Sequence, residues 1–413
     1  MYIYKFIDLF AGIGGFHTAI KNVSKRNGFK AKCVLASEID QKAILTYKAN
    51  HKVKNNDILN IRNINIGDIE DFDVLFGGFP CQTFSNAGKK LGFLDETRGT
   101  LFFDIVSILK EKKPKYILLE NVKHLVNHDN GQTWEIINNT LKEIGYIIPK
   151  DPLILNPINF NVPQDRPRVF IPGVLKEKSN YQHEFLELNI DSKKVPLKEN
   201  AWKHFLEKDI DAKYLLNKET DKYLINCFNA WDEFIKNIIT PNNTTIPVVW
   251  TYEFGKEYDV SHFAKWKQNY ILKMRDLYSK NKEFIDKWLK KWNVEHWNKR
   301  EQKFEWQAGK DNKDIKNSFI QLRQSGIRCK RKLNFPTLVA MVQIPILYDG
   351  RYNAWRYLTP RECANIQSFP KSFHTHSDIS NDSRSDYYSY KQFGNAINVK
   401  VVEAVLEELL KVK

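Results

Sequence analysis

The sequence predicts an α/β fold: a mostly parallel sheet with helices on both faces, plus a smaller second domain. Three observations carry this reading. Over residues 1–175, short apolar runs alternate with amphipathic helical patterns, which is the rhythm of a parallel sheet covered by helices. From Lys176 that rhythm stops and the tryptophans gather, eight of the ten falling between Trp202 and Trp306. Near the C-terminus a helical pattern returns, with Val399, Val402, Val405 and Leu409 on one face. The expected division is therefore 1–175, 176–345 and 346–413, with the last segment returning to complete the first.

Each element follows in order. "YKFIDLF" reads as a buried strand and "GFHTAIKNVSK" as the helix after it. "KCVLASEID" and "QKAILTYKANH" repeat the pair, and "NNDIL" marks a possible third strand. "DVLFGGF" is a strand; "GTLFFDIVSILKEKKP" is an amphipathic helix closed by Pro114. "KYILLENV" is a strand, and "TWEIINNTLKEIG" a helix ending at Gly145. "ILNPINFNVPQDRPRVFIPGVL" reads as two strands around a polar loop.

Composition narrows the function classes. The chain has 413 residues and is 42% hydrophobic, which is ordinary for a globular protein. No window reaches the ~20 apolar residues of a membrane span. The first residues lack a basic leader and run into a strand, so a cytosolic location without membrane attachment is expected. Five scattered cysteines, with no CxxC pair or Cys/His cluster, exclude a disulfide framework and a zinc site, and no metal is expected. The net charge is +15 with a pI near 9.3, which points to a polyanionic partner or to a composition that is basic throughout. Residues 176–332 hold 32 lysines and arginines against 23 acids, a surplus of nine.

The residues that can carry chemistry sit at predicted strand ends, where ligands bind in such folds. "DLFAGIGGF" gives a tight glycine turn before a helix N-terminus but lacks the G-x-G-x-x-G spacing of dinucleotide sites. Glu38, at the next strand end, can accept hydrogen bonds from a ribose, and Asp57 can meet an adenine amino group. The alternative is a packing turn with a surface carboxylate. Pro80-Cys81, Glu120-Asn121 and "QDRPR" follow at successive strand ends. A thiolate, a carboxyl and the guanidiniums of Arg166 and Arg168 suit nucleophilic addition to an electron-poor ring. Taken singly, Cys81 is core filler, Glu120 a helix-terminal carboxylate and the arginines surface charge.

These blocks together resemble the DNA (cytosine-5-)-methyltransferases of bacterial restriction–modification systems. "FIDLFAGIGGF", "ASEID", "GGFPCQTFSNAGK", "ENVKHL", "QDRPRVF", "LTPRECANIQSFP" and "YKQFGNAINVKVVEAV" occur in the family's order. The resemblance implies a methyltransferase fold of Rossmann type. Residues 1–175 would be its catalytic and cofactor-binding domain, 176–345 a target-recognition domain, and 346–413 the return segment. It implies S-adenosyl-L-methionine as cofactor, leaving as S-adenosyl-L-homocysteine. Phe10, Ala11, Gly12 and Gly14 would line it, Glu38 bind its ribose, and Ile39, Asp57 and Ile58 surround its adenine. Pro80, Asn395 and Ala396 would complete the site. Family members commonly have serine where this chain has Ala396.

The resemblance implies that Cys81 adds to C6 of a flipped cytosine while Glu120 assists at N3 and C5 takes the methyl group. Arg166 and Arg168 would lower the thiol pKa and hold an anionic group. Gln82, Ser85 and Lys89, in a polar loop running to about Thr97, would close over the nucleotide together with Gln164. Arg323, Arg328, Lys330 and Arg331 are expected on the DNA backbone, and the tryptophans in the core of the second domain. The expected partner of a monomeric chain is duplex DNA, with a cognate endonuclease as a further partner. Rival readings are a tRNA cytosine-5 methyltransferase, a non-catalytic DNA-binding relative and, at fold level, a nicotinamide dehydrogenase.

Overall fold

The computed structural model describes residues 2–53, 58–80, 101–192, 197–198, 200–240 and 245–413. The chain forms two compact units: residues 1–196 with 364–413, and residues 197–363.

The first unit is built on strands β1 (Ile3–Leu9), β2 (Lys30–Ser37), β3 (Ile58–Leu59), β4 (Val74–Gly77), β5 (Tyr116–Val122), β6 (Tyr146–Ile147), β7 (Leu153–Leu155) and β8 (Arg168–Leu175). Helices α1 (Gly15–Asn27), α2 (Gln41–Asn50), α3 (Leu101–Lys112) and α4 (Gln132–Glu143) connect them. The sheet order is β3-β2-β1-β4-β5-β8-β6, with β7 beside β8. The first five strands are parallel, whereas β8 runs antiparallel to β5, β6 and β7. The antiparallel β7–β8 pair follows from the polar loop between two apolar runs.

Side-chain alternation along β1 feeds two cores. Ile7 and Leu9 join α3 and α4 residues such as Ile105 and Leu141 on one face. Phe6 points the other way, edge-on to His17 of α1 at 4.9 Å. Asp40 caps α2 by accepting from the Lys42 and Ala43 amides.

The second unit holds α5 (Lys222–Asn237), β9 (Val249–Trp250), α6 (Lys265–Lys280), α7 (Lys282–Trp292), β10 (Lys303–Gln307), β11 (Ser318–Arg323), β12 (Gly326–Arg331), β13 (Ile346–Asp349) and β14 (Ala354–Tyr357). Its sheet runs β14-β13-β11-β12-β10-β9 and is antiparallel except for β10 with β12. An aromatic core around Trp231, Trp288 and Phe304 packs α5 and α7 on it. Helix α8 (Pro360–Ile366) leads back to the first unit, which ends with α9 (His376–Ile379), α10 (Ser385–Asn395) and α11 (Val399–Leu409).

The expected boundaries of 1–175, 176–345 and 346–413 are corrected to 196/197 and 363/364. Residues beyond Leu175 stay with the first unit, because Leu186 is buried and its amide donates to the Ile148 carbonyl at 3.0 Å. Residues 346–357 belong to the second, because β13 pairs with β11 and β14 with β13.

Candidate functional site

The sheet order defines where a ligand can sit. From β1 the chain builds outward to β2 and β3 on one side and to β4 and β5 on the other. The connections therefore diverge between β1 and β4, and the crevice lies beyond their carboxyl ends. The Gly78 amide donates to the Leu9 carbonyl at 3.4 Å, joining those two ends.

On the β1 side the chain turns through Phe10, Gly12 and Gly14, all with positive φ, at 55°, 55° and 84°. A Cβ on Gly12 would meet nothing within 4 Å, so the turn opens onto free space. Glu38, after β2, fixes the turn: its carboxylate accepts from the amides of Gly12 at 2.8 Å, Ile39 at 2.7 Å and Asp40 at 2.9 Å. Ala11 is buried and donates to the Ser37 carbonyl at 2.8 Å. Ile39, 70% exposed, stands beside the turn. Ile58 is half-buried in β3. Asp57 lies outside the described residues.

On the β4 side the strand ends at Gly77, and Pro80 is exposed. Cys81, Gln82, Ser85 and Lys89, with the loop expected to close, lie outside the described residues. The chain that leads to Pro80 is described. Glu120 of β5 is buried, and a Cβ on Gly78 would stand 3.9 Å from its Oε2, two residues before Pro80. Asn121, buried next to it, donates to the Phe79 carbonyl at 2.8 Å. It thereby fixes the backbone that leads into Pro80.

The arginines of "QDRPR" divide their work. Arg168 pairs with Glu120, Nε to Oε1 at 3.2 Å. Burial raises the Glu120 pKa above the usual carboxylate range, against the opposing pull of Arg168 and Arg166. Arg166 is buried and donates to the carbonyls of Gly394 at 3.0 Å and Ala396 at 2.8 Å. Burial, aided by the charge of Arg168, pushes its pKa down to about 9, which leaves it charged at neutral pH. Gln164 is fully buried, and neither atom of its side-chain amide has a hydrogen-bond partner among the described residues.

The return segment reaches this crevice. A Cβ on Gly15 would collide with Ile397 Cγ1 at 2.5 Å, and Lys391 pairs with Asp40 at 3.0 Å. Asn395 is exposed at the end of α10. The Ala396 amide donates to Gln392, and its carbonyl accepts from Arg166 and Gln367.

Sequence reasoning missed a buried polar cluster under the glycine turn. His17 Nδ1 and the Tyr47 hydroxyl are 2.7 Å apart, and the His17 and His51 rings stack at 3.9 Å. Burial, with Lys21 nearby, pushes the His51 pKa down to about 3, so the ring is neutral. Burial also drives Asp8 well above the carboxylate range, against the His17 amide and the Tyr47 hydroxyl. Nothing in the local pattern around His17 or His51 marks them; only the fold brings them together.

In the second unit, Arg323 and Arg328 both pair with Glu305, at 3.5 and 2.7 Å, and Arg331 pairs with Asp311. Lys330 lies on β12.

The chain is similar to known proteins along nearly its whole length. The profile of the C-5 cytosine-specific DNA methylases matches residues 4–411. The Type II methyltransferase M.HgiCI of Herpetosiphon aurantiacus is 34% identical, over 98% of each chain. M.BanI of Aneurinibacillus aneurinilyticus is 32% identical over 98% of this chain and 96% of its own. In fold, the S. pombe Dnmt2 methyltransferase superposes with a TM-score of 0.55 at 18% identity, covering 99% of this chain and 98% of that one.

Proposed function

The chain belongs to the C-5 cytosine-specific DNA methylase family, and on that premise we propose how its residues divide the work of methylating cytosine in duplex DNA. It is a DNA (cytosine-5-)-methyltransferase. The observation that carries the division of roles is Glu120. A buried carboxyl of raised pKa, paired with Arg168, faces the backbone two residues before Pro80-Cys81.

The glycine turn fits a nucleoside cofactor. It is an open cradle at Gly12 beside the Glu38 carboxylate and the exposed Ile39. Phe10, Gly12, Gly14, Glu38, Ile39 and Asn395, with Asp57 and Pro80, would hold S-adenosylmethionine. When bound, that cofactor supplies an electrophilic methyl group.

Cys81 adds as thiolate to C6 of a cytosine flipped from the duplex. Glu120 holds a proton toward N3, so the ring can accept the electron pair and C5 becomes nucleophilic. Arg168 keeps the Glu120 carboxyl oriented. Once C5 carries the methyl group, a water molecule takes the C5 proton and the Cys81 thiolate departs from C6, which restores the aromatic ring. Gln82, Ser85, Lys89 and Gln164 would contact the extruded nucleotide. Because Arg323, Arg328 and Arg331 already have acidic partners, their pull on phosphate is weaker than that of free side chains.

The full-length relatives are Type II methyltransferases. That supports a protective role beside a cognate endonuclease; our reading adds a monomer acting in the bacterial cytoplasm. No helix among the described residues is long and apolar enough to cross a membrane.

The test uses Cys81→Ser and wild type side by side on duplex DNA and tRNA. Wild type should methylate only DNA, at sites found by bisulfite sequencing, and should trap covalently on 5-fluorocytosine DNA. Cys81→Ser should lose at least about a thousandfold in transfer while its cofactor affinity is unchanged. Substantial methyl incorporation by Cys81→Ser would remove the nucleophile from this scheme.

A further inference from the structure

Trp266 is the exception among the tryptophans of the second unit. Trp202, Trp231, Trp288, Trp297, Trp306 and Trp355 are buried, whereas Trp266 is 60% exposed. It lies in the first turn of α6, and Asn269, Tyr270 and Lys273 follow at spacings that put them on its face. Tyr270 is 37% exposed. The two rings meet edge-on at 5.8 Å, and Tyr270 leans on Trp250 at 5.9 Å, so the aromatic face is braced from below.

The lysines sort by position. Beyond this face, the lysines of α6 and α7 that pair with acids do so closely: Lys280 with Asp276 at 2.6 Å, Lys282 with Asp286 at 2.5 Å, Lys287 with Glu283 at 2.6 Å and Lys291 with Glu233 at 2.7 Å. Lys265, Lys267 and Lys273, which flank the exposed rings, form no ion pair among the described residues. The sequence has no acid from Val260 to Arg275. Lys267 lies over the Phe263 ring at 3.5 Å instead. Of the acids nearest in the sequence, Asp259 accepts from Ser261 and Asp276 pairs with Lys280, while Glu257 is exposed; Glu253, farther off, accepts from the Tyr258 hydroxyl.

We propose that this face of α6 binds the phosphodiester backbone of duplex DNA without reading its sequence. The inference rests on the function proposed above and adds a contact surface to it. An ammonium is a point charge on a flexible stem. It suits phosphate and lacks the planar fork that reads base edges. Flat aromatic rings between such charges offer apolar area to deoxyribose and contribute most when they become buried on association. Three unpaired cations with no acid among them favour a polyanion over a second copy of this basic chain.

The experiment compares the full-length wild type with two variants, the triple Lys265→Gln/Lys267→Gln/Lys273→Gln and the single Trp266→Ala. Binding to duplexes with and without the methylation target is measured between about 50 and 200 mM salt. The triple variant should lower the salt slope by ~3 and weaken both duplexes by the same factor, on the order of tenfold. Trp266→Ala should weaken both equally, with unchanged melting temperature and unchanged turnover at saturating DNA. An unchanged slope, or affinity lost for the target duplex alone, overturns the proposal. So does a variant that sediments differently from wild type while binding DNA normally, since the face would then be a protein interface. If wild type methylates DNA and the variants match it, only this surface falls. If wild type neither binds nor methylates duplex DNA, the functional reading falls and takes this surface with it.

Discussion

Glu120 shows how one side chain couples chemistry to stability. Its folded-state pKa is raised, so the unfolded chain releases this proton at lower pH than the native protein does. The contribution to stability is therefore full below the ordinary glutamate pKa and is lost as pH rises through the raised one. Glu120→Gln should melt higher than wild type near neutrality, with the difference shrinking toward pH 4, and calorimetry at several pH values checks the sign. The same variant should slow single-turnover methylation at least about tenfold with DNA affinity retained, and a wild-type rate would remove Glu120 from the proton path. Gly14 is the second residue whose identity the structure explains. Its φ of 84° and a Cβ position 2.3 Å from His51 Nε2 leave no room for a side chain. Gly14→Ala should cost about 1–3 kcal/mol and weaken cofactor binding, measurable by thermal melting and titration calorimetry.

Among the elements, the carboxyl ends of β1 and β4 make the crevice, and the residues after α10 close it. Arg166, just before β8, is tied to the return segment by its donation to the Gly394 and Ala396 carbonyls. Replacing it by methionine takes this donor from the Gly394 carbonyl and leaves the Ala396 carbonyl with the longer bond from Gln367 at 3.4 Å, at about 1–3 kcal/mol for a buried group that loses its partner. Arg166→Met should therefore lower the melting temperature and raise the KM for S-adenosylmethionine. Arg166→Lys should recover part of the stability, because one ammonium reaches fewer acceptors in the same geometry. The strand ends were legible in the sequence because each has a short apolar run stopped by glycine or a polar cluster. The pairing of "QDRPR" with residues 394–396 was not, because it spans more than two hundred residues and leaves no local pattern. The same distance hid the contact of Ile397 with Gly15.

At the scale of the molecule, each unit holds its own buried charges. In the second, Arg356 is fully buried between Glu362, which it meets twice at 2.8 Å, and Asp349 at 2.7 Å. Removing one partner of such a group costs about 3–5 kcal/mol. Arg331, half-exposed against Asp311, contributes at most about 1 kcal/mol. Arg356→Met should thus unfold in far less urea than Arg331→Met, as chemical denaturation of the two variants would show. By itself the sequence determined the α/β class, the two-part organisation, the carboxyl near a strand end and the glycine turn, since each rests on local periodicity or on a contiguous motif. Only the tertiary structure decided where the units divide, because β13 pairs with β11 across a loop that composition does not mark. It alone separated the buried tryptophans from the exposed Trp266, since hydrophobicity cannot tell which face of a helix finds a partner. It also separated Arg168, which meets Glu120, from Arg166, which holds the return segment: two like residues in one motif point to different neighbours, and only the packed chain supplies those neighbours.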